Sequence, residues 1–484
     1  MRKPLGALTK SVAIYGAGDV AITAVNLLLL PWYLKVLSQE DMGAVLLLVA
    51  TEAIVKIGFR WGLDGAFMRY YLDRAPGLER QRLASSLYAF LLCASGLLFV
   101  LLLAGSSALA AFLFEEHAAR YLTPLRMMLC NTFILTFTFV PYHVMRMEKQ
   151  ALTFSVISFG RALATLILRI ALVLFAGQGV EGLMAADLIV TLVLLPVLWP
   201  WTRPLMRWSF SAQEIRTSLR FGLPRLPHGL AQQGLDAGNN ILLNQFVPLG
   251  QLGVYSIART LGQSLKFFLS AFETGWAPFY YETAKQPDAR VVFAKITTYG
   301  IAILVLLVAG LTAITNDLVS LIAPDNYAGA STVVPLIALG IAFQGVYLLT
   351  SIGLNLTSQT RYYPMATMIS AAVGLGSGLV LMPRFGATGA AVSFLLSYVT
   401  LAGLAGWFAR RHYPVDYEWG RVFRLVAAGA LAAAAALALP EMPSLAGLLV
   451  RGSVTVAVFG ALLWAGGFLR PTERALLRRV WPGR

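Results

Sequence analysis

The chain has 484 residues, of which 58% are hydrophobic and 13% charged, against about 25% charged in an ordinary soluble domain. The apolar residues gather in runs of about 20, the length that crosses a ~30 Å hydrocarbon core as a helix, which excludes a soluble fold. The net charge of +15 does not mark a nucleic-acid surface, because the basic residues recur in short segments between alternate runs instead of clustering on one soluble face.

In chain order, the runs predict an all-α integral membrane protein of about 14 transmembrane helices. These centre near 12–34, 42–63, 83–104, 122–144, 153–176, 180–201, 222–246, 253–279, 292–314, 331–353, 364–382, 387–409, 422–440 and 446–469. The first run follows Arg2, Lys3 and Lys10 but is long and contains Asp19 and Asn26, so it reads as a retained span and not a signal peptide. Span four leads to Arg146 and Lys149, and span six to the longest basic linker, Arg203 to Arg220. Pro224 and Pro227 interrupt the start of span seven and permit bending. With the N-terminus inside, the inside segments hold nearly all loop Lys and Arg. The outside ones offer only Lys35, Arg120, Arg384 and the border residue Arg451. By the positive-inside rule both termini are expected in the cytoplasm.

The sequence repeats. At a shift of 210, Met42-Gly43-Ala44 matches Leu252-Gly253-Val254, and Tyr70-Tyr71 matches Tyr280-Tyr281. At a shift of 207, Gly179-x-x-Gly182 matches Gly386-x-x-Gly389. Two parallel-duplicated six-helix lobes follow, 1–205 (helices 1–6) and 206–412 (helices 7–12), with 413–484 adding helices 13 and 14 and a basic tail.

At least ten ionisable groups fall well within spans: Asp19, Glu52, Lys56, Arg161, Arg169, Asp187, Asp236, Arg259, Lys266 and Glu273. At about 2.5–3.5 kcal/mol each on a lipid-facing helix centre, together they would exceed the stability of a typical fold, so most must face a cavity or one another. Glu52, Lys56 and Arg60 lie at i, i+4 and i+8, within about 80° around one helix. Arg259, Lys266 and Glu273 repeat this at i, i+7 and i+14, and Asp236, Asn240 and Asn244, with Gln233 adjoining, form a third stripe. A central hydrated cleft is expected. Glu52 and Lys56 could instead neutralise each other, and Arg60 could snorkel at its span end.

Other chemistry is weakly signalled. Cys93 and Cys130 are expected to be buried thiols, since neither sits in a C-x-x-C pair. The four histidines, His117, His143, His228 and His412, show no metal-ligand spacing, and no P-loop is present.

Three stretches carry a family likeness. They are Val247-Pro-Leu-Gly-Gln-Leu-Gly-Val-Tyr-Ser-Ile-Ala258 with Arg259, Phe267, Phe268 and Ala277-Pro-Phe-Tyr280; Tyr327-Ala-Gly-Ala-Ser-Thr-Val-Val-Pro335; and Gly386-Ala-Thr-Gly-Ala-Ala391. In these the chain resembles the Wzx-type oligosaccharide flippases of the multidrug/oligosaccharidyl-lipid/polysaccharide exporter (MOP) superfamily. Arg60-Trp-Gly-Leu-Asp64-Gly-Ala-Phe67 is similar to the end of span two in the related lipid II flippases, with Phe59 where those have a neighbouring arginine. The resemblance implies two lobes rocking about a central cleft, moving a polyprenyl-pyrophosphate-linked sugar between leaflets of the bacterial inner membrane, with Arg259 in a cationic cleft. Lys56, Arg259 and Lys266 would replace the water and counterions of the pyrophosphate, Arg60 and Arg161 would line the same cleft, and Gln232, Gln233, Asn239, Asn240 and Asn244 could hydrogen-bond the sugar. Asp19, Glu52, Asp236 and Glu273 are candidates for coupling to an H+ or Na+ gradient, with no cofactor or metal expected. The expected partners are that lipid-linked sugar, membrane lipids, a polysaccharide polymerase and glycosyltransferases. A multidrug or cation antiporter of the same superfamily is the alternative, followed by a polytopic glycosyltransferase or ligase.

Overall fold

The computed structural model describes residues 29–206 and 209–468, so the expectations for Asp19 and the C-terminal basic tail lie outside the described residues. Among the described residues the secondary structure is helical, with no strand. Among the described residues, ten helices are long and apolar enough to cross a membrane: α1 (Gln39–Arg60), α2 (Leu78–Ala104), α3 (Ser106–Met147), α4 (Ala151–Phe175), α5 (Gly179–Leu205), α6 (Ala289–Ile322), α7 (Ala330–Leu356), α8 (Tyr362–His412), α9 (Trp419–Leu437) and α10 (Ser444–Ala465). The protein is an all-α, multi-pass membrane protein.

α8 accounts for predicted spans eleven and twelve together. Its 51 residues contain a break at Gly386, whose φ of 51° and ψ of −125° lie outside the helical region and suit a residue without Cβ. Predicted spans seven and eight are built from shorter pieces: Leu226–Gln233, a π turn at Gly234–Gly238 and Asn239–Leu243, then Leu249–Gly262, a 3-10 turn at Gln263–Leu265 and Lys266–Thr283. Pro224, Pro227 and the glycines of this region disfavour one continuous helix.

The chain divides into two compact units. One holds the described residues up to Ser256 with Gly374–Ala390, and the other holds Ile257–Val373 with the described residues from Ala391.

In the first unit, α1 starts at a capping box. Ser38 Oγ accepts from the Asp41 backbone N–H at 3.1 Å, and the Ser38 N–H donates to Asp41 Oδ2 at 3.1 Å. Asp41 also accepts from the Tyr121 hydroxyl at 2.9 Å and pairs with Arg120 at 2.8 Å, fastening α3 to the start of α1. Glycines of the predicted repeat make close backbone contacts. A methyl built on Gly43 would fall 2.2 Å from the Leu249 carbonyl oxygen, and one on Gly253 would fall 2.0 Å from that of Gln39. The two contacts join residues related by the predicted shift of 210. The second match behaves alike, with Gly179 at φ 58° and Gly386 at φ 51°.

In the second unit, α6 packs against α7, α9 and α10. Asp317 of α6 and Arg451 of α10 form an ion pair at 2.9 Å with both side chains less than 10% exposed. Arg451, expected at a membrane border, is therefore a buried partner that fastens α10 in place. Removing one member of a buried pair strands the other. Arg451→Ala is expected to destabilise the protein by about 3–5 kcal/mol, and the Arg451→Ala/Asp317→Ala double variant by less. Thermal melting in detergent checks the ordering.

Both cysteines are free thiols, but Cys93 is exposed on the outer face of α2 and Cys130 is half-buried. This corrects the expectation that both are buried. An apolar run does not distinguish a lipid-facing side chain from a packed one.

Candidate functional site

Charged residues of the first unit converge on one cavity of about 780 Å³, within the ~300–1,000 Å³ range of small-molecule sites. α1 contributes Glu52, Lys56 and Arg60, the stripe expected from their spacing, and the start of the next helix, Leu63–Tyr71, adds Asp64. α4 contributes Ser158, Arg161, Thr165 and Arg169 at i, i+3, i+7 and i+11, and none of the residues Ala151–Arg169 is fully buried. Its polar stripe faces the cavity while apolar side chains such as Val156 and Ile167 are exposed. α5 supplies Asp187.

The wall from α3 has a local cause. Its helix is interrupted after Thr136 and resumes at Phe139. The carbonyls freed there find partners, since Tyr88 Oη donates to Phe137 O at 3.1 Å and Thr138 Oγ1 to Leu135 O at 2.8 Å. The two helical pieces thereby present Asn131, Thr138, Tyr142, His143 and Arg146 along one side of the cavity.

Five basic and three acidic side chains line the cavity. Arg169 grips Asp187 bidentately, Nε to Oδ1 at 3.0 Å and Nη2 to Oδ2 at 2.6 Å. Arg60 and Asp64 approach to 3.7 Å. Among the described residues no carboxylate lies within 4 Å of Lys56, Arg146 or Arg161, and Arg146 instead covers the Phe154 ring at 4.5 Å. Glu52 and Lys56, one helical turn apart, do not form an ion pair. The cavity thus holds cations whose mutual repulsion, strengthened by the low-dielectric surroundings, an anion would relieve.

Of the expected site residues, Glu52, Lys56, Arg60 and Arg161 meet here, joined by Arg169 and Asp187. Gln233 and Asp236 are half-buried and Asn240 is buried, all in the first unit and outside this cavity's lining. Asn244 is buried, and its Nδ2 donates to Leu113 O at 2.9 Å, a helix-to-helix tie. Arg259, Lys266 and Glu273 belong to the second unit. Arg259 is buried with its guanidinium 5.5 Å from the Phe394 ring, Lys266 is half-buried and Glu273 exposed. Sequence reasoning missed Asn131, Tyr142 and His143, and read Arg146 only as a topology signal. The spacing of Asn131, Thr138, Tyr142 and Arg146, at i, i+7, i+11 and i+15, is a helical stripe that the same periodicity test detects.

Residues 35–274, about half of the chain, match the family model described as polysaccharide biosynthesis protein. Over that segment the chain is similar to this family. No curated protein matches the chain in sequence. Solved structures match in fold. The lipid II flippase MurJ in an inward closed conformation superposes with a TM-score of 0.68 at 12% identity, covering 96% of this chain and 99% of that one. An inward-facing MATE-family multidrug resistance transporter of the MOP superfamily gives 0.66 at 15% identity, over 83% of this chain and 95% of that one. A MOP-superfamily transporter from Pyrococcus furiosus, whose binding pocket is described as reversed in polarity, gives 0.53 at 15% identity, over 86% and 96%. The chain has the fold of these transporters, and its cavity lies wholly within the segment that the family model matches.

Proposed function

We propose that the protein is a flippase that moves a polyprenyl-pyrophosphate-linked oligosaccharide from the cytoplasmic to the outer leaflet of a bacterial inner membrane, for cell-surface polysaccharide synthesis. The observation that carries this reading is the excess of cations in the first-unit cavity, with Lys56, Arg146 and Arg161 free of carboxylate partners within 4 Å among the described residues. A pyrophosphate headgroup is anionic and strongly hydrated, so bare transfer through hydrocarbon is prohibitive. Fixed cations in a wet cavity replace its lost water and counterions. Alternating access between two six-helix lobes, with both termini cytoplasmic, is the mechanism proposed, and the prenyl tail stays in lipid throughout. No catalytic chemistry is assigned. Coupling to an H+ or Na+ gradient through Glu52, Asp236 or Glu273, and cooperation with a polymerase and glycosyltransferases, belong to the same proposal.

The MATE neighbours suggest antiport of cationic drugs as a second reading, against which the lining's five basic to three acidic groups weigh. Equilibrium binding by the purified protein tests the choice. Polyprenyl-pyrophosphate-linked oligosaccharide should bind and be displaced by inorganic pyrophosphate, whereas an organic cation that binds while the lipid does not would favour the antiporter.

A further inference from the structure

We propose that one end of the first unit carries a binding surface for anionic phospholipid headgroups, built from Arg82, Arg203, Arg216 and Arg220. The surface is separate from the cavity and does not depend on the flippase reading.

Contacts between segments distant in sequence gather these residues. Gln81 Nε2 donates to Pro204 O and Ser85 Oγ to Leu205 O, each at 2.9 Å, tying the start of α2 to the end of α5. The Ser211 backbone N–H donates to Ser86 Oγ at 2.9 Å, and Arg74 grips Glu214 through two bonds of 3.1 Å. The helix Ala212–Gly222 is thereby laid against Leu63–Tyr71 and the start of α2. At 11 residues it is too short to cross a membrane. Ser218 is buried on its packed side, while Gln213, Arg216 and Arg220, at i, i+3 and i+7, form an exposed face.

Depth and charge identify the ligand. α2 begins at Leu78 and α5 ends at Leu205, so Arg82 and Arg203 stand within one turn of the ends of two spans, at the level of lipid headgroups. Both are exposed, and Leu78, Met206 and Phe210 beside them are half or more exposed. Apolar side chains set among arginines suit the boundary between headgroups and acyl chains, not open water. The nearby carboxylates are already engaged, Asp73 by Arg69 and Glu214 by Arg74. Among the described residues no carboxylate lies within 4 Å of Arg82, Arg203, Arg216 or Arg220. A guanidinium matches a phosphate with two parallel hydrogen bonds, and a headgroup with no cation of its own gains most from it. Topology does not account for the arrangement. The positive-inside rule asks for basic residues on one side of the membrane, but not that they be fixed together or interleaved with exposed apolar ones.

The test gives the full-length protein in detergent equal amounts of phosphatidylglycerol and phosphatidylcholine and counts the retained lipids by native mass spectrometry. The wild type should retain phosphatidylglycerol in preference. One basic residue near an anionic surface contributes about fivefold in affinity. Arg216→Gln/Arg220→Gln should therefore bind phosphatidylglycerol about 10–30-fold more weakly, and Arg216→Lys/Arg220→Lys should keep most of the binding. Neither variant should change the melting temperature without added lipid, because the replaced side chains are exposed. Lys285→Gln/Arg410→Gln removes two exposed charges of the second unit and should retain phosphatidylglycerol as the wild type does. An equal loss in that control, equal retention of both lipids by the wild type, or wild-type binding by the glutamine variant would overturn the surface. So would a matching loss of polyprenyl-pyrophosphate-linked oligosaccharide binding in the glutamine variant, which would make these arginines part of the substrate's own path.

Discussion

Replacing Lys56 and Arg161 together with glutamine is expected to weaken binding of the pyrophosphate headgroup, and its translocation, by about 10²–10⁴-fold. Each supplies a charge-assisted contact worth about 1.5–3 kcal/mol, or roughly 10–150-fold in affinity. The two act on the same anion, so the losses combine. The sign on stability is opposite. Lys56 lies close enough to Arg60 and Arg161, and also to Glu52 and Asp64, for their charges to interact, and among the described residues no carboxylate lies within 4 Å of Lys56 or Arg161. Removing both relieves repulsion, and the variant should unfold at the same or a higher temperature than the wild type. Lys56→Arg keeps the charge and should retain most binding. A large fall in melting temperature for Lys56→Gln/Arg161→Gln would recast the pair as structural. Titrating the lipid and melting the same preparations separates the two cases.

The second large effect concerns the repeat contact. Gly253→Val places a Cβ 2.0 Å from the Gln39 carbonyl oxygen, and Gly43→Val one at 2.2 Å from that of Leu249. Real Cβ atoms do not approach a carbonyl that closely, and the obstacle is backbone, which cannot rotate aside as a side chain can. The helices must separate, and the overpacking penalty reaches or exceeds the usual ~1–3 kcal/mol of core insertions. Either variant is expected to lose most of its monodisperse, folded yield in detergent, and with it transport in cells. Gly160→Ala is the control, because nothing lies within 4 Å of its new methyl group. Size-exclusion profiles of the three variants check the order, and a wild-type profile for Gly253→Val would remove the close crossing from the account.

How far the sequence carried the structure depends on the range of the forces involved. Helix positions follow from apolar runs, a property local to each span, and the ten long helices coincide with eleven of the fourteen predicted spans because α8 covers two. Spans seven and eight are shorter and broken because proline, glycine and polar residues interrupt them, which the prolines announced in part. The glycines that the repeat singled out stand at close crossings and left-handed turns, which glycine tolerates best. On α1 the charge stripe was legible because charges at helical spacing in a membrane stand out against their background. On α3 the uncharged Asn131, Tyr142 and His143 did not stand out as charges do, although the helical spacing of Asn131, Tyr142 and Arg146 was there to be read. Pairings between helices were not legible either. Arg169 and Asp187 were recognisable as costly singles, but their ion pair depends on how α4 packs against α5. The same holds for Arg451, whose buried partner Asp317 lies 134 residues away in sequence.

The most direct test of the central claim is leaflet-to-leaflet movement of the lipid in a purified system. Proteoliposomes containing only this protein and a fluorescent polyprenyl-pyrophosphate-linked oligosaccharide are treated with an impermeant reagent that destroys fluorescence in the outer leaflet. With translocation, the protected inner-leaflet fraction should drain well below the half retained by protein-free vesicles. It should stay near that half with Lys56→Gln/Arg161→Gln. Protection indistinguishable from protein-free vesicles across pH and Na+ gradients, in preparations that do exchange a cationic drug, would contradict the account.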